Sequence, residues 1–280
     1  MKFHLAHIIP LPRMHGLNGY AEVIDTIDWG LRELGHEVSR GLNEISPSAR
    51  NIVFGGQMMT VEQQQRLPED TIIYNFEQLR GLTRVRAEVA HFARASQVWD
   101  YSEFNIEFWQ RFHPKYPVTL VPVGYAPILE RIPRAAVQDI DVLIYGVPNE
   151  DRLALFGAIA KRGLSTVFVC GLYGAARDEL IARSKVVVNL SLYTRSNVFE
   201  IVRVSYLLAN RKAVACGITP ETVMEKGVQS AVVLATPKDM LDNVERLVTD
   251  ETYRREIEES GYRYFKTRDI RPILEQALRG

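Results

Sequence analysis

An acidic and a basic side chain, Glu200 and Arg203, lie three residues apart at the start of a predicted helix. The helix ends near Asn210 and leads into the apolar strand AVAC, within the run from Ser196 to Gly217. A helix start presents unpaired N–H groups and a partial positive charge, so it attracts anions. Because the two side chains share one side of that helix end, we expect Arg203 to bind a diphosphate. Glu200 is expected to accept hydrogen bonds from ribose or sugar hydroxyls.

The turn after the strand DVLIY also indicates phosphate binding. Gly146 lets the backbone approach a ligand closely. Arg152 lies in the first turn of the following helix, where a cation is unfavourable with the helix dipole unless an anion shares the site. We therefore expect this turn to contact phosphate.

Two further strand ends of the second half carry candidate ligand-binding residues. Gly171, Tyr173 and Gly174 form a loop that fits either a nucleobase-binding turn or an ordinary one. Asn189 ends the next buried strand, and Tyr193 follows it closely. Since ligands lie beyond the carboxyl ends of parallel strands, all these residues are expected at one sheet edge.

The first half offers three candidate catalytic groups. His15, next to Gly16 in a glycine-bracketed turn, could bind a phosphate or act as a base. Glu77 follows the strand TIIYN and is either a hydroxyl-binding or general-base group or an acid favoured by a helix start. Asp100 follows a further strand and either caps the next helix or lines the site.

The sequence gives little support for a metal site. Asp139 and Asp141 form a D-x-D pattern, but the pair precedes a strand and so belongs to the opposite sheet edge. The six histidines lack H-x-x-x-H spacing. G-x-S-x-G, P-loop and G-x-G-x-x-G patterns are also missing from the sequence. We expect neither a metal nor a cofactor.

Short apolar runs alternate with amphipathic stretches, which predicts repeated βα units and mainly parallel sheets. The predicted strands are 3–9, a strand starting at 36, 51–54, 71–74, 97–99, 119–121, 142–145, 166–170, 186–190, 214–216 and 231–235. The predicted helices are 19–34, 151–163, 176–184, the Glu200 helix and a charged helical tail from Pro237 onward.

The βα pattern restarts after residues 126–140, a stretch with two prolines and little periodicity. This predicts an α/β protein of two Rossmann-like domains that face each other across a cleft. The expected domains are residues 1–130 and 131–280, with a last helix that can cross back onto the first domain.

Bulk composition favours a soluble globular protein. The 280 residues are 46% hydrophobic and carry no formal net charge, so bulk charge does not predict a nucleic-acid or acidic-membrane partner. The basic pair Arg254–Arg255 is typical of a solvated helix face. Cys170 and Cys216 lie in apolar runs and are expected to be buried free thiols. Without a signal peptide or a long apolar run, we expect a cytoplasmic protein with no membrane span.

Six stretches of the chain resemble the GT-B-fold glycosyltransferases of bacteria and phages, in particular the CgeB-like proteins and glycosyltransferase group 1. They are IIYNFEQL, VWDYSEFN, VPVGY, DVLIYGVPNEDR, GLYGAARDELIARSKVVVNL and FEIVRVSYLLANRKAVA, and they occur in both halves of the chain. The resemblance implies a nucleotide-sugar donor, a UDP-sugar foremost, bound by the C-terminal domain. It also implies an acceptor bound by the N-terminal domain and no essential metal.

The resemblance implies roles for individual residues as well. Those expected to face the diphosphate are Gly146, Asn149, Arg152 and Arg203; those near the base are Gly171, Tyr173 and Gly174; and Glu200 faces the ribose or the donor sugar.

Three positions depart from the family pattern. The apolar pair Leu207–Leu208 lies where the second acid of an E-x7-E element would be, Asp151-Arg152 replaces the usual Arg-Arg pair, and Ser191 replaces a histidine. These departures leave inversion or retention of the sugar's stereochemistry open.

The leading interpretation is an enzyme of the hexosyltransferase type, which moves a sugar from a nucleoside diphosphate to an acceptor hydroxyl without a metal. An inverting enzyme needs a base, for which Glu77 or Asp100 is expected, whereas in a retaining enzyme Glu200 takes an electrostatic role. A nucleotide-sugar epimerase and a nucleotide- or sugar-binding module without turnover are the alternatives. The acceptor, whether glycan, protein, lipid-linked glycan or modified DNA, and the oligomeric state stay open.

Overall fold

The computed structural model describes residues 1–9, 19–79, 97–112, 115, 117–192 and 198–279. The candidate residues His15, Gly16 and Tyr193 lie outside this part of the chain. The described strands are β1 (Lys2–His7), β2 (Glu37–Leu42), β3 (Arg50–Phe54), β4 (Ile72–Asn75), β5 (Gln97–Asp100), β6 (Val118–Leu120), β7 (Ile140–Tyr145), β8 (Thr166–Val169), β9 (Ser184–Asn189), β10 (Ala213–Gly217) and β11 (Val233–Ala235). The described helices are α1 (Ala21–Glu33), α2 (Val61–Gln65), α3 (Glu103–Phe112), α4 (Glu150–Lys161), α5 (Gly174–Arg183), α6 (Ile201–Ala209), α7 (Met240–Thr249), α8 (Glu251–Lys266) and α9 (Ile270–Arg279).

The chain divides into two compact units. The first unit combines Met1–Ala126 with the segment from Asp269 onward, and the second unit is Pro127–Arg268. The first unit contains a parallel sheet in the order β2-β1-β3-β4-β5-β6, and the second a parallel sheet in the order β11-β10-β9-β7-β8. The predicted α/β class with two Rossmann-like sheets is therefore confirmed.

Burial explains why the short apolar runs form central strands. Every residue of β4 is buried, and β9 is buried at five of its six positions, as expected for parallel strands covered on both faces. Helix α1 buries Val23, Ile27 and Leu31 on one stripe, at the spacing that the sequence predicts. Each sheet thus carries its own core.

The last helix belongs to the first unit, although it lies at the far end of the chain. Helix α9 packs against α1, where a Cβ atom on Gly30 would lie 2.7 Å from Leu274 Cδ1 and 2.8 Å from Ile270 Cγ2. The missing side chain of Gly30 therefore permits the close approach of the two helices.

Two expectations about individual side chains are wrong. Cys170 is exposed, because it follows β8, an edge strand with a single neighbour, whereas Cys216 on the central strand β10 is a buried free thiol. Arg254 is buried rather than solvated, because its Nη1 donates hydrogen bonds to Leu247 O and Val248 O at the end of α7.

The described helices include none that combines the length and the apolar composition of a membrane span.

Candidate functional site

The candidate residues of the second unit gather at the carboxyl edge of its sheet. Strands β8, β7, β9 and β10 are neighbours and parallel, so their last residues share one edge. Tyr145, Asn189 and Gly217 end β7, β9 and β10 there. The loops after β7 and β8 lead into α4 and α5, and Glu200 immediately precedes α6.

Gly146 lies between two guanidinium groups at this edge. A Cβ atom on Gly146 would lie 3.0 Å from Arg152 Nη1 and 3.3 Å from Arg203 Nη2. The backbone φ of Gly146 is 127°, a conformation that side chains oppose. The glycine therefore allows two cationic side chains to converge on one strand end.

Arg152 is buried and holds two loops together. Its Nη1 donates to Val147 O at 2.6 Å, and its Nε and Nη2 donate to Leu190 O. Burial, followed by the charge of Arg203, lowers the pKa of Arg152, while Glu200 opposes this change. Arg152 is 1% exposed. It therefore contributes a fixed, buried positive charge to the site rather than a hydrogen-bond donor that faces solvent.

Arg203 is the accessible cation of the pair. Its side chain is 25% exposed, its Nη1 donates to Asn189 Oδ1 at 3.1 Å, and Glu200 Oε2 lies 3.6 Å away. The guanidinium also lies over the ring of Tyr145, 5.5 Å from its centroid. A planar fork held in this way suits bidentate contact with phosphate oxygens.

The helix starts at this edge differ in how they are capped. Asn149 caps α4, because its Oδ1 accepts from Arg152 N at 2.9 Å, and its Nδ2 donates to Leu192 O. Within the described chain no side chain caps α5, which begins after Tyr173, or α6, which begins after Glu200. The starts of α5 and α6 are therefore suited to an anion as their cap.

The loop before α5 depends on two glycines. Gly171 and Gly174 have φ values of 71° and 61°, and a Cβ atom on either would meet nothing within 4 Å. Backbone conformation, rather than crowding, requires these glycines. The loop places half-buried Tyr173 beside the start of α5.

The buried Cys216 thiol contacts the side chain of Asn189. Burial raises the pKa of the Cys216 thiol, which therefore stays protonated, and Asn189 hydrogen-bonds to it. Asn189 in turn accepts from Arg203. The last residue of β9 thus orients the accessible arginine.

In the first unit, Glu77 follows β4 and is half-buried. Gln57, after β3, donates from one Nε2 atom to Glu77 Oε1 at 2.9 Å and to Tyr20 OH at 3.0 Å. Burial and the Glu77 charge raise the pKa of Tyr20, so this hydroxyl keeps its proton. Gln57 and Tyr20 were not predicted from the sequence; the GGQ that follows β3 is the signal that could have identified Gln57.

Asp100 is buried in a hydrogen-bonded network. Its carboxylate accepts from Ser102 N, Asn75 Nδ2, Asn105 Nδ2 and Trp109 Nε1 at 2.7–3.0 Å. Burial raises the pKa of Asp100 to about 7, although these four donors favour the charged form. The helix-capping alternative does not describe it, because Ser102 Oγ accepts from the first turn of α3.

The same network fixes the backbone of Glu77. Asn75 accepts from Glu77 N at 3.1 Å, and both Asn75 and Asn105 donate to Glu77 O at 3.1 and 2.9 Å. Asp100 binds both asparagines and therefore acts on Glu77 indirectly.

The two aspartates of the D-x-D pattern belong to ion pairs. Asp139 pairs with Arg183 at 2.5 Å, and Asp141 pairs with Lys185 at 2.7 Å. Across residues 1–9, 19–79, 97–112, 115, 117–192 and 198–279, no group of three or more His, Cys, Asp or Glu residues could hold a metal ion.

No protein-family model and no curated protein sequence matches the chain. Solved structures match it over nearly its whole length. The structure of WaaG, a glycosyltransferase involved in lipopolysaccharide biosynthesis, has a TM-score of 0.59 and 11% identity and covers 99% of this chain and 98% of its own. T4 phage BGT in complex with its UDP-glucose substrate has a TM-score of 0.61 and 12% identity, with coverage of 99% and 98%.

Anabaena Alr3699/HepE in complex with UDP has a TM-score of 0.57 and 12% identity, and covers 100% of this chain and 99% of its own. Sequence identities this low indicate a shared fold but not a shared activity. Together with the two parallel sheets, they show that this chain has the GT-B fold.

Proposed function

We propose that the protein is a glycosyltransferase, which transfers a sugar from a nucleoside-diphosphate donor, foremost a UDP-sugar, to an acceptor hydroxyl. The observation that carries this proposal is the convergence of Arg152 and Arg203 on Gly146, beside Glu200 and the uncapped start of α6. Neighbours with the same fold are solved with UDP or UDP-glucose, which supports this choice of donor.

In this proposal the diphosphate binds Arg203 and the start of α6. Preorganised positive charge stabilises the negative charge that develops on a departing diphosphate, so two guanidinium groups and a helix start can supply what a metal supplies elsewhere. Arg152 adds positive charge from its buried position and holds the two loops in place. Glu200 accepts hydrogen bonds from the ribose or the donor sugar.

We propose an inverting mechanism with Glu77 as the base. The acceptor O–H proton moves to the Glu77 carboxylate, the acceptor oxygen bonds to the sugar's anomeric carbon, and the bond to the diphosphate oxygen breaks. The apolar pair Leu207–Leu208, in place of a second acid near the donor, is buried on α6, which supports this choice over retention. Asp100 is then a positioning residue, because it holds Glu77 through Asn75 and Asn105.

The first test is a thermal-shift panel of UDP, GDP, CDP, ADP and dTDP with the wild type, Arg203→Ala and Lys161→Ala. A ligand raises the melting temperature by mass action. We expect one diphosphate to stabilise the wild type and Lys161→Ala, which removes an exposed charge as a control. We expect Arg203→Ala to bind the same diphosphate at least about tenfold more weakly. No stabilisation of the folded wild type by any of the five would overturn the donor site.

Hydrolysis of the matching nucleotide sugar then separates turnover from binding alone. We expect slow release of free sugar by the wild type and by Glu103→Gln, which removes an exposed carboxylate at the start of α3. Glu77→Gln should bind the donor normally and lose most of its transfer activity, by a factor of about 10²–10⁴. Binding without any hydrolysis or transfer would favour a module without turnover.

A further inference from the structure

A cavity of the second unit lies apart from the proposed donor site. It has a volume of about 500 Å³ and is formed by residues 130–134, by residues 209–212 at the end of α6 and just after it, and by Arg255, Glu258 and Glu259 of α8. Helix α6 separates the two sites: Glu200 precedes its first residue, and the cavity opens at its last, roughly 13 Å along the axis. The volume falls in the range of small-molecule sites.

Positive charge predominates in the lining of this cavity. Five cationic side chains line it, namely Arg131, Arg134, Arg211, Lys212 and Arg255, against three carboxylates. Arg211 pairs with Glu130 and Glu259, and Arg255 pairs with Glu251 and Glu258. The two arginine side chains are nevertheless 41% and 39% exposed, so solvent and a ligand can reach them. Buried Lys212 donates to Ser184 O at 2.6 Å and forms no ion pair with the described carboxylates. The cavity therefore favours an anionic ligand.

Glu258 adds an acceptor that the protein itself does not satisfy. Its side chain is 2% exposed, and its Oε2 pairs with Arg134 and lies 3.5 Å from Arg255. Its Oε1 is buried, and among the described residues no donor reaches it. A buried carboxylate oxygen without a donor is costly, so a hydroxyl supplied by a ligand would be favoured here.

The walls of the cavity are held in place. Asn210 Oδ1 accepts from Arg131 N at 3.0 Å and Ile132 N at 2.8 Å, while its Nδ2 donates to Leu129 O. Arg211 stacks on the ring of Tyr262 at 3.5 Å. Because these groups are fixed without a ligand, binding requires little reordering.

We propose that this cavity binds a small phosphorylated polyol. Its phosphate contacts Arg211 and Arg255, and one of its hydroxyls donates a hydrogen bond to Glu258 Oε1. An anion without such a hydroxyl leaves Glu258 unsatisfied, and a neutral polyol leaves the positive charge unused. Both parts of the ligand are therefore needed for full affinity.

The test is isothermal titration of the full-length protein with glycerol 3-phosphate, with inorganic phosphate and with glycerol. We expect glycerol 3-phosphate to bind most tightly and Arg255→Gln to weaken it at least about tenfold. Arg263→Gln removes the same charge from an exposed position of α8 and should bind like the wild type. If Arg255→Gln does not fold, Arg211→Gln takes its place.

Two further titrations distinguish binding in this cavity from binding in the proposed donor site. Saturating UDP should not displace glycerol 3-phosphate, and Arg203→Ala should bind it normally. Displacement by UDP, or loss in Arg203→Ala but not in Arg255→Gln, would place the ligand in the donor site and overturn the proposal. Equal affinity for inorganic phosphate and glycerol 3-phosphate would contradict the role of Glu258, and no binding of either would refute the cavity as a ligand site.

Discussion

A methyl group on Gly146 would contact both guanidinium groups of the proposed donor site. Its Cβ would lie 3.0 Å from Arg152 Nη1, at a backbone φ of 127° that an alanine rarely adopts. We expect Gly146→Ala to lower the free energy of unfolding by about 1–3 kcal/mol and to weaken binding of the donor diphosphate. Thermal unfolding and a diphosphate titration measure the two effects.

Gly157→Ala is the matched control for this substitution. Gly157 lies inside α4, and a Cβ atom there would meet nothing within 4 Å. Alanine is the better helix former by about 1 kcal/mol, so this variant should be as stable as the wild type or more so. If Gly146→Ala and Gly157→Ala have the same stability and the same affinity for the diphosphate, the close approach of the two guanidinium groups to Gly146 contributes to neither property.

The buried Asp100 makes the stability of the first unit depend on pH. Its pKa is raised from 3.8 to about 7 in the folded protein. Between these values the folded state binds more protons than the unfolded state, so stability falls as pH rises through this window and levels off above it. The full difference corresponds to about 4 kcal/mol.

Urea unfolding at pH values from 4 to 8 checks this dependence. All three tryptophans, Trp29, Trp99 and Trp109, belong to the first unit, so their fluorescence follows the unit that contains Asp100. We expect the fall with pH to be smaller in Asp100→Asn than in the wild type and unchanged in Asp70→Asn, which alters an exposed carboxyl. Equal slopes in all three proteins would show that Asp100 titrates normally.

At the scale of elements, the strands and helices were largely predictable from the sequence. The predicted strand 142–145 lies within β7, and 51–54 lies within β3, because continuous apolar runs between turn residues leave few alternatives in a parallel sheet. The first strand ends at His7 rather than at residue 9, and β11 begins at Val233 rather than at 231. The ends of strands are harder to predict than the strands themselves, because apolar residues also continue into buried loops.

The candidate site was predictable only in part. Strand ends indicated Gly146 and Asn189, since topology alone brings parallel strand ends together, and a helix start indicated Glu200. Sequence could not tell that Arg152 points inward to backbone carbonyls while Arg203 stays accessible, because that difference depends on tertiary contacts. The link from Asp100 through Asn105 to Glu77 depends on contacts between separate strand ends and has no local signature.

At the scale of the whole molecule, the end of the chain completes the unit that its beginning forms. Helix α9 buries Ile270, Leu274 and Ala277, and it packs against α1. Ile270 N donates to Tyr125 O at 3.0 Å, and Arg271 lies over the ring of Trp29. A protein that ends at Arg268 should therefore lose stability in the first unit, although more than 140 residues separate α9 from most of that unit.

We expect this truncation to lower the free energy of unfolding of the first unit by more than about 3 kcal/mol, because it removes three buried side chains. The midpoint of the tryptophan-monitored transition reports on that unit alone, and hydrogen exchange separates residues 1–126 from 127–268. Gly30→Ala should weaken the same packing by about 1–3 kcal/mol, since its Cβ would press on Leu274 and Ile270. Faster exchange confined to residues 1–126 is the expected pattern, because α9 contributes its buried face to that unit's core. Faster exchange confined to 127–268 would instead mean that the helix supports the second unit.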